Sequence, residues 1–240
     1  MNEREAKSKV LHFKQSKVSG RDSIVSIEKG GNWLRRISAI KPVQFNKNKK
    51  LQEKLFCIGF HKTGTTSLTK ALKILKYNPI HGDGRKTWPG ADEGVTLTRM
   101  IDDGNRKLPT LDMFDAFLDN PYFSIWRHLD EKYDGKFILT VREPDKWIES
   151  CCNYYKNRRV RHMRHWMFGE YADPSSSVKA RQVWIDQYNR HNEDVISHFG
   201  NRDDFLILDI TKENDWDNLC RFLEKSTPRE DFPHLNKTKK

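Results

Sequence analysis

Residues 54–68 read KLFCIGFHKTGTTSL. An apolar run and a glycine lead into a cluster of lysine, threonine and serine. Apolar residues then recur at 68, 71, 72 and 75, the spacing of one helix face. A strand entering a glycine loop and a helix start brings several backbone N–H groups toward one point, where the helix dipole adds to their preference for an anion. Lys62 contributes a mobile positive charge, and Thr65, Thr66 and Ser67 contribute hydroxyl donors. Gly64 lets the backbone approach closely. The nucleotide loop G-x-x-x-x-G-K-[ST] places its lysine directly after the second glycine. Gly59 and Gly64 keep that spacing, but Thr65 stands where the lysine belongs and Lys62 lies inside the loop. The stretch predicts a phosphate-binding loop of a different kind from the Mg²⁺–ATP type.

Outward from this loop, apolar runs alternate with helical periods. Residues 77–81 predict a second strand, 91–103 a helix and 112–117 a short strand, and Pro121 opens a predicted helix through 133. KFILTV (136–141) is a buried strand, followed by Pro144 and a helix with Trp147, Ile148 and Cys151 on one face. A long amphipathic helix over 176–199, the strand FLILDI (205–210) and a helix over 215–223 complete the series. Strands separated by helices predict an α/β fold with a parallel β-sheet flanked by helices. Ligands of such a sheet bind beyond the C-terminal ends of its strands. Arg142 ends one of those strands in VREPDKWIES, and Ser150 follows eight residues on. The planar fork of an arginine suits phosphate, and a serine two turns into the next helix can face the same anion. Pairing of Arg142 with Glu143 or an aspartate is the alternative.

A chain of 240 residues suits one domain of roughly 100–200 residues plus an extension. Residues 1–50 hold 13 Lys/Arg against 4 Asp/Glu, so nine of the eleven net positive charges sit in this arm. It reads as a flexible or loosely docked basic arm ahead of a domain over 51–240, with a possible amphipathic turn at 33–40. With the charge so placed and no nucleic-acid-binding motif, nucleic acid is not an expected partner. No stretch approaches the ~18 consecutive apolar residues of a membrane span. The N-terminal stretch lacks the apolar centre of a secretory signal. Cys57, Cys151, Cys152 and Cys220 form no C-x-x-C pair and read as buried thiols, which suits a reducing cytoplasm.

HKTGTTSL (61–68), Arg142 with Ser150, and the ending FPHLN (232–236) together resemble the PAPS-dependent sulfotransferases. That family takes 3′-phosphoadenosine 5′-phosphosulfate (PAPS) as donor and has a P-loop NTPase-like α/β fold. Its K-[ST]-G-T-[TS] loop grips the 5′-phosphosulfate, and its arginine and serine grip the 3′-phosphate. The resemblance covers about 54–236. It implies donor contacts from His61, Lys62, Thr63, Gly64, Thr65, Thr66, Ser67, Arg142 and Ser150, with no metal. The R-K-G-x-x-G-D-W ending of the cytosolic branch is missing, and the FPHLN ending is closer to the branch common in bacteria and lower eukaryotes.

Sulfuryl transfer also needs stabilisation of the leaving oxygen and a base. Lys62 is the candidate for the first. The family's base is a histidine at a strand end just ahead of a proline, where this chain reads FLDNPYF (117–123). Asp119 is therefore one candidate base, with helix capping beside Asn120 as its alternative role. His81, at the end of the second strand, is the other. The arginines at 158, 159, 161 and 164 read either as a wall for an anionic acceptor or as a solvated face. A small molecule, lipid or carbohydrate hydroxyl, or an amine, fits as acceptor. Two other readings stay open. One is an ATP–Mg²⁺ ATPase or kinase, with Asp209 of FLILDI as metal ligand. The other is a non-catalytic anion-binding module.

Overall fold

Alternation along the strands decides the layers. The computed structural model describes residues 14–18, 21–25, 54–82, 113–212 and 216–235. Strands β1 (Lys14–Val18) and β2 (Arg21–Val25) pair antiparallel, Lys14 opposite Val25. The arm was read without strands. The expected turn at 33–40 and helix at 91–103 lie outside the described residues.

The main sheet holds β3 (Lys54–Cys57), β4 (Pro79–His81), β5 (Ala116–Leu118), β6 (Gly135–Thr140) and β7 (Phe205–Leu208). Its order is β4-β5-β3-β6-β7 and every pairing is parallel. Six helices accompany it among the described residues: α1 (Thr65–Ile74), α2 (Trp126–Lys132), α3 (Pro144–Tyr155), α4 (His162–Phe168), α5 (Val178–Phe199) and α6 (Trp216–Phe222). Leu55, Cys57, Leu118, Ile138 and Leu208 meet Leu68, Ala71 and Leu72 of α1 and Trp216 and Leu219 of α6. Phe56, Phe117, Phe137 and Leu139 point the other way, to Trp126 and Leu129 of α2 and Val195 and Phe199 of α5. The central strands are thus buried on both faces, as a parallel sheet requires. Each Leu or Phe so buried contributes ~1.5–3 kcal/mol.

A third cluster is built on the loop after β3. Phe60, Phe123, Trp147, Cys151, Met163, Trp184 and Tyr188 join that loop to α3, α4 and α5. All four cysteines are buried free thiols.

Some boundaries differ from expectation. The helix expected from Pro121 is a 3₁₀ turn (Tyr122–Ile125) followed by α2, which ends at Lys132. Tyr122, Phe123 and Ile125 are all buried, and a 3₁₀ turn is a common lead into an α-helix. β5 starts late because Asp115 is tied to Asn78, both by its own N–H and by its side chain. β7 stops at Leu208, where Asp209 turns the chain by accepting from the N–H and hydroxyl of Thr211.

Candidate functional site

The loop between β3 and α1 opens at the C-terminal end of the central strand. Gly59 is fixed by close approach: a Cβ there would lie 2.1 Å from Thr140 Oγ1 and 2.3 Å from Thr140 O. The Thr63 hydroxyl, fully buried, donates to Phe60 O and meets Thr140 Oγ1 at 2.6 Å. This threonine side chain therefore shapes the loop and ties it to β6. Lys62 and Gly64 hold positive φ of 68° and 97°, natural for the glycine and strained for the lysine.

α1 begins without a side-chain cap and without an acidic residue in its first turn. Its first amides have no partner within the helix, so the dipole and N–H groups stay available to an anion. Thr65 is buried and Thr66 half-buried at this end. Ser67 Oγ accepts from the N–H of Leu235 at 2.9 Å, which brings the chain's FPHL segment back onto the loop helix. Phe232 meets Trp216 edge-on, and Trp216 Nε1 donates to Glu230 O. Asn236, last residue of the FPHLN motif, lies outside the described residues.

Lys62 Nζ lies 4.2 Å from the centre of the Tyr154 ring, against which Arg158 also rests at 4.2 Å. Burial, and then the nearby Arg142 and Arg158 charges against the opposing pull of Asp119, hold the Lys62 ammonium below its usual pKa. His61 turns inward. Its ring is 4% exposed among Phe60, Phe123, Trp147, Tyr155 and Trp184, with neither nitrogen hydrogen-bonded among the described residues. Burial pulls its pKa down to about 4, so it is neutral near pH 7. Its contribution to the loop is main-chain: His61 O accepts from Trp147 Nε1 at 2.8 Å.

Arg142 follows β6. Its Nη1 donates to Lys62 O at 3.3 Å, and its buried Nε has no partner among the described residues. Glu143 then caps α3, accepting from the N–H groups of Asp145 and Lys146 at 3.0 and 2.8 Å, with Pro144 as first helical residue. Ser150 is buried on that helix. Tyr154 lies one turn further along, so the two share a face.

The two candidate bases meet. His81 Nε2 is 3.0 Å from Thr65 Oγ1 and 3.4 Å from Asp119 Oδ2, and Thr65 Oγ1 donates to the same carboxylate oxygen at 3.4 Å. Asp119 has φ of 68°, and its other oxygen accepts from the Asn120 N–H. The β4-β5-β3 order makes this meeting possible, since it sets the ends of β4 and β5 beside the start of α1.

Other side chains were misjudged or overlooked. Arg164 is 5% exposed, stacked on Tyr155, with its guanidinium donating to Arg159 O at 2.6 Å and Ala172 O at 3.4 Å. It braces the segment around α4 rather than lining a surface. Asp209 is spent on its turn and on Lys212 at 3.0 Å, which removes the feature that favoured a kinase. Tyr188 carried no sequence signal; it sits in a helix whose pattern reads as core, whereas Tyr154 opens the Arg-, His-, Tyr- and Trp-rich stretch 154–173 that reads as a candidate acceptor wall.

A central parallel strand, a glycine loop with an uncapped helix, and an arginine turn beside it define an α/β domain suited to holding an anion at its C-terminal edge. Residues 54–240 match the family described as a sulfotransferase domain, and the chain belongs to that family. It is also similar to "Ava biosynthesis cluster protein M" of Aspergillus versicolor, at 24% identity over 219 residues, covering 76% of this chain and 80% of that protein. No described helix is long and apolar enough to cross a membrane.

Proposed function

We propose that the chain transfers a sulfuryl group from PAPS to a hydroxyl or amine by in-line displacement. The observation that carries this reading is the contact of Arg142 Nη1 with Lys62 O at 3.3 Å, which joins two cation-bearing elements at one edge of the sheet. A donor with phosphate groups at both ends of a ribose asks for that pair. The buried Arg142 Nε, without a partner among the described residues, fits an external acceptor of its hydrogen bond. The loop from Lys62 to Ser67 would hold the 5′-phosphosulfate, and Arg142 with Ser150 the 3′-phosphate.

The donor supplies the sulfuryl group. As the acceptor oxygen bonds to sulfur, the bond from sulfur to the 5′-phosphate oxygen breaks and leaves its electron pair on that oxygen. Lys62 and the amides at the start of α1 stabilise that charge; one such donor contributes on the order of 3 kcal/mol. The acceptor's proton goes to the His81–Asp119 pair, whose carboxylate stabilises an imidazolium.

Calorimetry on the full chain tests the reading. Expected is micromolar, metal-independent binding of adenosine 3′,5′-bisphosphate, largely lost in Arg142→Ala. Tight ATP–Mg²⁺ binding with none for the bisphosphate would overturn it.

A further inference from the structure

Arg142 stands where the β6 ladder has ended, so its main chain needs partners from elsewhere. Both come from one phenol. Tyr188, on α5 and 1% exposed, donates from its hydroxyl to Arg142 O at 2.7 Å and accepts from the Arg142 N–H at 2.8 Å. The Tyr188 ring lies flat on Trp147, centroids 4.3 Å apart and planes 14° apart. Phe60 meets both rings edge-on. Trp147 in turn donates from Nε1 to His61 O at 2.8 Å. A continuous path therefore runs from the loop carbonyl through the stacked indole and phenol to the backbone of Arg142. It ties together the two elements that bear Lys62 and Arg142.

We propose that Tyr188, seated on Trp147, is a positioning residue that fixes the separation of the loop from Arg142. It thereby sets a preference for nucleotides phosphorylated at both 5′ and 3′ over those phosphorylated at 5′ alone. The inference rests on the donor reading above. A rigid ligand engages two anion sites at once only when their spacing is already correct; otherwise part of its binding energy is lost in reshaping the protein. A nucleotide that uses only the loop is indifferent to that spacing. Tyr188→Phe keeps the ring and its stacking but leaves the Arg142 N–H and C=O without the phenol, so the turn is held by its remaining contacts alone.

The test is calorimetry on the full chain with adenosine 3′,5′-bisphosphate and adenosine 5′-monophosphate. Tyr188→Phe is expected to lower the ratio of the two affinities about tenfold, equivalent to ~1.4 kcal/mol. The loss falls on the bisphosphate, with the monophosphate nearly unchanged. Trp147→Phe, which keeps a ring but removes the indole N–H, is expected to shift the ratio in the same direction. It serves where the first variant does not fold. A merely structural Tyr188 weakens both nucleotides in proportion or neither, and an unchanged ratio in the folded variants overturns the proposal while leaving the donor reading intact. A wild-type chain with no preference for the bisphosphate overturns both.

Discussion

The loop after β3 and the turn after β6 serve the same edge of the sheet, yet they keep their shapes by different means. The loop is largely self-built: Thr63 bonds back to Phe60, Gly64 takes the left-handed conformation, and α1 starts directly behind. The Arg142 turn is held from outside, by a phenol 46 residues further along the chain. A self-built element is specified by a short stretch of sequence, whereas an externally held one depends on the whole fold. Substitutions in the loop should therefore strike chemistry directly, and those around the turn should act through position.

The largest effect is expected at Lys62. Lys62→Ala removes the cation beside the leaving oxygen and should lower kcat about 10²–10³-fold. Its urea midpoint should stay near wild type, because that side chain rests on the 41%-exposed Tyr154 ring. A kcat within threefold of wild type would place the leaving-group charge elsewhere. Next come the bases. His81→Asn and Asp119→Asn should each lower kcat on the order of 10²-fold, and the double variant should fall little further if the two act as one unit. Multiplicative losses would show two independent roles.

Gly59→Ala probes the closest approach of the loop to β6, beside the Thr63–Thr140 hydroxyl contact. The added Cβ has to displace Thr140 main chain as well as side chain, at a cost of about 1–3 kcal/mol. Urea unfolding measures it. A neutral result would mean that loop and strand separate without penalty.

How much of this was legible in the sequence follows the same division. Lys62, Gly64 and the hydroxyls fall within a few residues, and Arg142 ends a buried strand with Ser150 eight residues on, so both elements could be read from the chain. The unbroken apolar run from Leu55 likewise announced a buried strand, and Leu55, Phe56 and Cys57 are all buried. The meeting of His81 with Asp119 and Thr65 was not legible, because it needs β4 and β5 to lie side by side, a fact of sheet order rather than of local pattern. Arg164 was hidden for another reason. In a run of arginines, charge alone does not tell which one turns inward to bond carbonyls. Tyr188 looked like one more apolar position of a long amphipathic helix, and its hydroxyl gains meaning only once Arg142 arrives beside it.

The smallest effect is expected at Glu143, and pH distinguishes its cause. The N–H groups of Asp145 and Lys146 hold its carboxyl below the usual carboxylate range. A carboxylate with a depressed folded-state pKa contributes stability above its unfolded value and loses it as pH falls through the folded value. Glu143→Ala should therefore lower the urea midpoint slightly at pH 7, and the gap to wild type should close as the solution is taken below pH ~4. Because the cap fixes the first turn of α3, which also carries Ser150, the same variant should raise KM for the donor more than it changes kcat. A stability gap that persists in acid would assign the effect to the backbone preference of residue 143 rather than to its charge. The turn would then owe its shape to Tyr188 without help from the cap.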